Sequence, residues 1–196
     1  MNRLTSAAVI TAAAMFSLQT LTGLPAQAAT CPVDTACPTT VTFDIAAGAL
    51  EITVPDTADL ANDGAPGGFA YGPLGAVTVD DNRASATPAW TVAVTSTDFV
   101  TAGGDDPGET IVNDSVYYCS GAATATTGDG TFTPGQTGCA APPPPTGQTL
   151  DIERTAFAHA GGTGVNSATW NPLITIALAL SNVAGQYTGT ISHTVT

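Results

Sequence analysis

Beyond about residue 40, apolar and polar residues alternate with a period of two, the spacing that turns successive side chains to opposite faces of a β-strand. In the stretch Val77 to Phe99, Val77 and Val79 fall in phase, and Trp90, Val92 and Val94 fall in phase after a polar, proline-containing break. That pattern predicts strand, turn, strand. Val41, Phe43 and Ile45, then Leu50, Ile52 and Val54, predict a hairpin turning at Ala46-Ala47-Gly48. Phe69 and Tyr71 fit a short strand, Ile111 to Cys119 a longer one, and Leu150 to Phe157 another. Trp170, Pro172, Ile174, Ile176, Leu178 and Leu180 form one row, opposed, Leu173 apart, by the small residues Thr175, Ala177 and Ala179. Tyr187, Gly189, Ile191, His193 and Val195 form the last row, against five Thr or Ser. No helix-length amphipathic run interrupts these segments. Many short strands with turns between them predict an all-β fold, an antiparallel β-sandwich with long loops.

Composition adds an address. Arg3 and the apolar run Ala7 to Leu18, followed by Ala26-Gln27-Ala28, form a secretory leader with cleavage expected after Ala28. The apolar run is too short and too interrupted for a membrane span. The remaining 29–196 fits one domain, with a Gly/Thr/Pro-rich inserted loop at about 119–147 that ends in Pro142 to Pro145. The chain has no lysine and a net charge of −13, a balance that excludes nucleic acid and anionic membrane surfaces as natural partners. Four cysteines in an exported chain predict two disulfides. Of the possible pairings, Cys31 with Cys37 and Cys119 with Cys139 join neighbours flanked by turn residues. The second closure contributes about 3 kcal/mol in chain-entropy terms. No CxxC occurs, and no histidine spacing suggests a metal site. No cofactor is expected.

Two stretches resemble the WxL domain, a cell-surface module of Gram-positive bacteria. Asp81 to Arg83 precedes Trp90-Thr91-Val92, which is similar to the family's Trp-x-Leu with valine for leucine. Tyr187 to Val195 is similar to its distal motif in frame, and departs from it at Ser192, at Val195 and at His193, where the family has tryptophan. The resemblance implies export, a β-rich fold and non-covalent attachment to peptidoglycan.

The residues that could carry chemistry are few. Trp90 and Trp170 are the candidate ligand contacts, because an exposed indole stacks on a sugar face. The competing expectation for Trp90 is a core position in phase with Val92 and Val94. His193 shares a face with Ile191 and Val195 and reads as a hydrogen-bonded structural residue, as does Tyr187. His159, in a Gly-rich stretch, would be an exposed acid or base without a nucleophile beside it. Asp81 and Arg83 are expected to pair and shape the turn into the Trp90 strand. Asp105, Asp106 and Glu109 form an acidic loop without the EF-hand spacing for calcium. None of the nucleophile or metalloprotease motifs is present. The expectation is therefore a secreted, non-catalytic surface module associated with cell-wall glycan or peptidoglycan. The alternative is a freely secreted adhesin or assembly subunit that binds a protein partner.

Overall fold

The computed structural model describes residues 30–196, so the expected leader at 1–28 lies outside the described residues. The chain divides into two compact units between Phe43 and Asp44. In the first, the Cys31–Cys37 disulfide closes a turn in which the Thr35 N–H donates to the Pro32 carbonyl at 3.2 Å.

Among the described residues, all fourteen strands lie in the second unit. They are β1 (Leu50–Thr53), β2 (Phe69–Pro73), β3 (Val77–Ser85), β4 (Ala89–Ser96), β5 (Phe99–Val100), β6 (Thr110–Ile111) and β7 (Val116–Cys119). These are followed by β8 (Ala123–Thr127), β9 (Thr131–Pro134), β10 (Gln148–Thr149), β11 (Arg154–Ala160), β12 (Gly164–Trp170), β13 (Leu173–Ala177) and β14 (Ile191–Val195). A single 3-10 turn, Asn113–Ser115, is the only helical element among the described residues. No helix there is long and apolar enough to cross a membrane.

Every ladder is antiparallel. The first sheet has the order β1-β3-β12-β8, the second β10-β7-β13-β2, the third β14-β4-β11-β9, and β5-β6 form a small ribbon. The fold is all-β, consistent with a sandwich, and one core receives side chains from all three larger sheets. Val77 and Val79 enter it from β3, Trp90, Val92 and Val94 from β4, Phe157 from β11, Trp170 from β12, and Ile174 and Ile176 from β13. The in-phase rows read from the sequence are the rows that bury.

Three segments differ from the pattern's expectation. Leu50 to Thr53 pairs with β3, but Val41, Phe43 and Ile45 form no strand and stay 79%, 81% and 80% exposed. The reason is local: Gly48 and Ala49 already bond to Asn82 in line with β1, so a turn would fall on Ala46-Ala47. Two-residue hairpin turns need positive φ, which alanine disfavours. The inserted loop is not structureless either, because β8 and β9 lie in it, at the edges of two different sheets. Thr127 and Ser167 hydroxyls bond across the β8–β12 ladder at 2.7 Å, so small polar residues suffice on an exposed edge. Finally, the Trp170 row ends early: β13 stops at Ala177 and Leu180 is exposed.

Candidate functional site

Both tryptophans are core residues, which corrects the expectation of ligand contact. Trp90 is 2% exposed and Trp170 0%. Trp170 does not open a strand at the rim; it closes β12 ahead of the Asn171-Pro172 corner and stacks on Phe157 with ring centroids 4.8 Å apart. Each indole N–H has a partner, as a buried indole requires. Trp90 Nε1 donates to Asn166 Oδ1 at 2.8 Å, and Trp170 Nε1 donates to the Tyr118 hydroxyl oxygen at 3.1 Å.

The Trp90 bond begins a polar chain through the core. Asn166 Nδ2 approaches Asp81 Oδ2 at 3.4 Å. Arg83 grips the same carboxylate with two donors, Nε on Oδ1 at 2.8 Å and a terminal nitrogen on Oδ2 at 2.9 Å. That terminal nitrogen also donates to the Ala89 carbonyl at 2.9 Å, which fixes the start of β4. Asp81 is fully buried because it sits two residues after Val79, in phase with the core face of β3. The guanidinium of Arg83, bonded to it, holds the Asp81 carboxyl below the usual carboxylate range, and Asn166 adds to the effect. Ion pair and amide together offset the cost of burying the charge. The group positions β3, β4 and β12: its carboxylate is buried, and only the Arg83 side chain reaches solvent.

A second chain ties the three sheets together. The Tyr118 hydroxyl oxygen accepts from Trp170, and the same hydroxyl is hydrogen-bonded to His193 Nε2 at 3.0 Å. His193 is thus bonded at Nε2, and its Nδ1 is buried without a protein partner. Burial pushes the His193 imidazole down to about 4, so it is neutral over the physiological range. Burial also pushes the Tyr118 phenol up. Where the WxL pattern carries tryptophan, this chain has a histidine engaged in holding sheets together. Tyr187 is likewise structural, since its hydroxyl lies 2.6 Å from the Gly108 carbonyl and 2.9 Å from that of Val183.

His159 is not an exposed base. It lies in β11, 2% exposed, with its ring 5.7 Å from Trp90 and 4.5 Å from Phe132. Nε2 donates to the Asp129 carbonyl at 3.0 Å. A Cβ on Gly130 would lie 2.5 Å from that nitrogen, which explains why the neighbouring turn needs glycine. Asp105 and Asp106 are exposed, and the Asp106 N–H donates to Glu109 Oε2 at 3.2 Å. Among the described residues no three His, Cys, Asp or Glu side chains converge as metal ligands.

The outer face of the second sheet carries aromatic side chains that stay partly accessible to a ligand. Register places Tyr71 of β2, Thr175 of β13 and Tyr117 of β7 side by side. These three point away from the core that Val116, Tyr118, Ile174 and Ile176 fill. Strand spacing sets the two tyrosines about 10 Å apart, flanking the threonine. Both are half-buried, and neither phenol has a hydrogen-bond partner. The Thr175 hydroxyl between them is fully buried and also unpartnered. Phe69, Pro73, Leu173 and Ala177 continue the face, and none of these side chains carries a charge. The Cys119–Cys139 disulfide pins the loop at one end of β7. At the β10 border, the Thr149 hydroxyl and the Arg154 guanidinium hold Asp151 below its ordinary range. The signal for this face in the sequence is the pair of tyrosines, Tyr71 and Tyr117, out of phase with the core rows. No family model, curated protein or solved structure matches this chain.

Proposed function

We propose that this protein is an exported, non-catalytic surface module that associates without covalent attachment with the glycan of the cell wall. The observation that carries the reading is the uncharged Tyr71–Thr175–Tyr117 face, in a chain with a net charge of −13. Two phenol rings on a rigid sheet offer flat apolar surface to pyranose rings, and their free hydroxyls offer bonds to sugar hydroxyls. An acidic protein reaches a polysaccharide best through such a neutral patch, because carboxylates elsewhere repel anionic polymer. The likeness of Tyr187 to Val195 to the WxL motif supports the same reading. Both histidines are held in the fold rather than poised at a cleft, which favours binding over catalysis.

Sedimentation tests this. Purified protein mixed with peptidoglycan sacculi should pellet with them, and a Tyr71→Ala, Tyr117→Ala double variant with unchanged thermal stability should stay in the supernatant. Wild-type protein that remains soluble at every salt and pH tried would sink the proposal. The second reading, a subunit that binds protein, is favoured by a different observation: the exposed row Val41, Phe43 and Ile45.

A further inference from the structure

The first and third sheets end in edges that run close to each other without pairing. Cα atoms of β1 and β14 come within 8 Å, yet no backbone bond joins them. The direction of the free groups follows from the bonded ones. Thr97 N–H donates to the Thr190 carbonyl, and Thr91 and Thr196 exchange both bonds, so even-numbered residues of β14 face β4. Antiparallel ladders alternate. The N–H and C=O groups of Ile191, His193 and Val195 therefore face the open side. By the same parity, Leu50 and Ile52 present theirs from β1.

The side chains beside this seam are incompletely covered. Leu50, Ile52, Ile191 and Val195 are half-buried, whereas Val79 and Val92 on the next strands are fully buried. At one end the seam widens into a hollow of about 370 Å³ lined by Leu60, Leu74, Phe99, Ile174 and Ile191, among others. An extended peptide with alternating apolar residues fits such a site, with main-chain bonds to the edge and side chains in the hollow.

The chain itself carries that peptide. Thr40 to Ile45 alternates Thr40, Thr42 and Asp44 with Val41, Phe43 and Ile45, and the apolar three are exposed. Laid along β14, Val41, Phe43 and Ile45 would meet the inward row Ile191, His193 and Val195, and Thr42 and Asp44 would join the exposed Ser192 and Thr194. Immediately after the segment, Gly48 and Ala49 are bonded to Asn82, and a two-residue turn on Ala46-Ala47 would need the positive φ that alanine disfavours.

We infer that the Val41–Ile45 segment of one copy adds as a strand to the β1–β14 seam of a second copy, linking subunits head to tail. Seating a strand between both edges requires about 10 Å, so edges that approach within 8 Å part by at least about 2 Å on binding. Because donor and acceptor surfaces differ, the contact is heterologous: unreciprocated contacts propagate into chains, whereas two copies that exchange segments close as a dimer. The inference gives the protein-binding reading a definite partner and does not depend on wall association.

Sedimentation velocity of the full exported chain over a range of concentrations tests it. The wild type should form species that grow with concentration. The Phe43→Asp variant, altered at an exposed position, should stay monomeric, and a synthetic peptide of residues 39–45 should return wild-type protein to monomer. Hydrogen exchange should show the Val195 amide protected in the assembled wild type and unprotected in the variant. A wild type that is monomeric throughout, assembly that survives Phe43→Asp, or Val195 protection that is independent of concentration would each overturn the inference. Sacculus binding by monomeric Phe43→Asp protein separates this result from the wall proposal.

Discussion

Tyr117 and Tyr118 are neighbours in β7 with opposite roles. Tyr118 points inward, is fully buried, and is bonded to both an indole N–H and an imidazole nitrogen. Tyr117 points outward, is half-buried, and keeps its hydroxyl free. The two faces of the second sheet differ in the same way: one uses its polar atoms to join three sheets, and the other leaves them uncommitted. A buried aromatic with a satisfied polar end is what the fold is built on. An accessible aromatic with an unsatisfied one is what the fold presents.

The contrast can be broken hardest from the inner side. Trp170→Ala should cost about 3–5 kcal/mol in denaturant unfolding, through the cavity left against Phe157 and Tyr118. A loss under ~1 kcal/mol would mean that the inner face is not the structural one. Acid comes next. The folded His193 is depressed to about 4 from an ordinary 6.5. Between those values the unfolded chain binds a proton that the folded ring refuses. Stability is therefore complete above about pH 6.5 and falls by about 3 kcal/mol as pH drops to 4. Below that, protonation of Asp81, also depressed in the folded state, adds a further loss. Urea midpoints between pH 7 and pH 3 check the sign, and His193→Asn should flatten the upper limb.

The finest test compares the two tyrosines directly. Tyr118→Phe leaves the Trp170 N–H and His193 Nε2 unpaired and should cost about 1–3 kcal/mol. Tyr117→Phe should change stability by less than about 0.5 kcal/mol, as for a surface position. Equal effects would erase the distinction between the faces.

How much of this was legible in the sequence depended on whether an element had a solid face to display. The last row, Tyr187 to Val195, alternates half-buried and exposed without a break, as its residues predict. The strands holding Val77 and Val92 were equally plain. Asp81 was in phase with Val77 and Val79, so its burial was readable, but a carboxylate on a core face invites the assumption that it turns outward. Only its meeting with Arg83 and with Asn166, eighty-five residues away, accounts for it. The edge strands β8 and β9 carry no apolar row because nothing covers their outer sides. β12 buries Asn166 and Ala168 ahead of its tryptophan, small and polar residues that give periodicity little to register. Val41, Phe43 and Ile45 read as a strand and lack only a partner to make one. The outer tyrosines were visible as residues, but that they share a row with Thr175 depends on register, and register is a property of the folded sheet.

The Cys119–Cys139 bridge has a consequence for resistance to proteolysis. It joins the end of β7 to the segment beyond β9, and the residues it encloses pair with two different sheets. A protease that cuts once between residues 120 and 138 therefore produces two chains that remain one covalent molecule. The strands on either side of the nick keep their partners, and the tyrosine face keeps its geometry. A cut in this largely exposed loop is thereby uncoupled from loss of the protein.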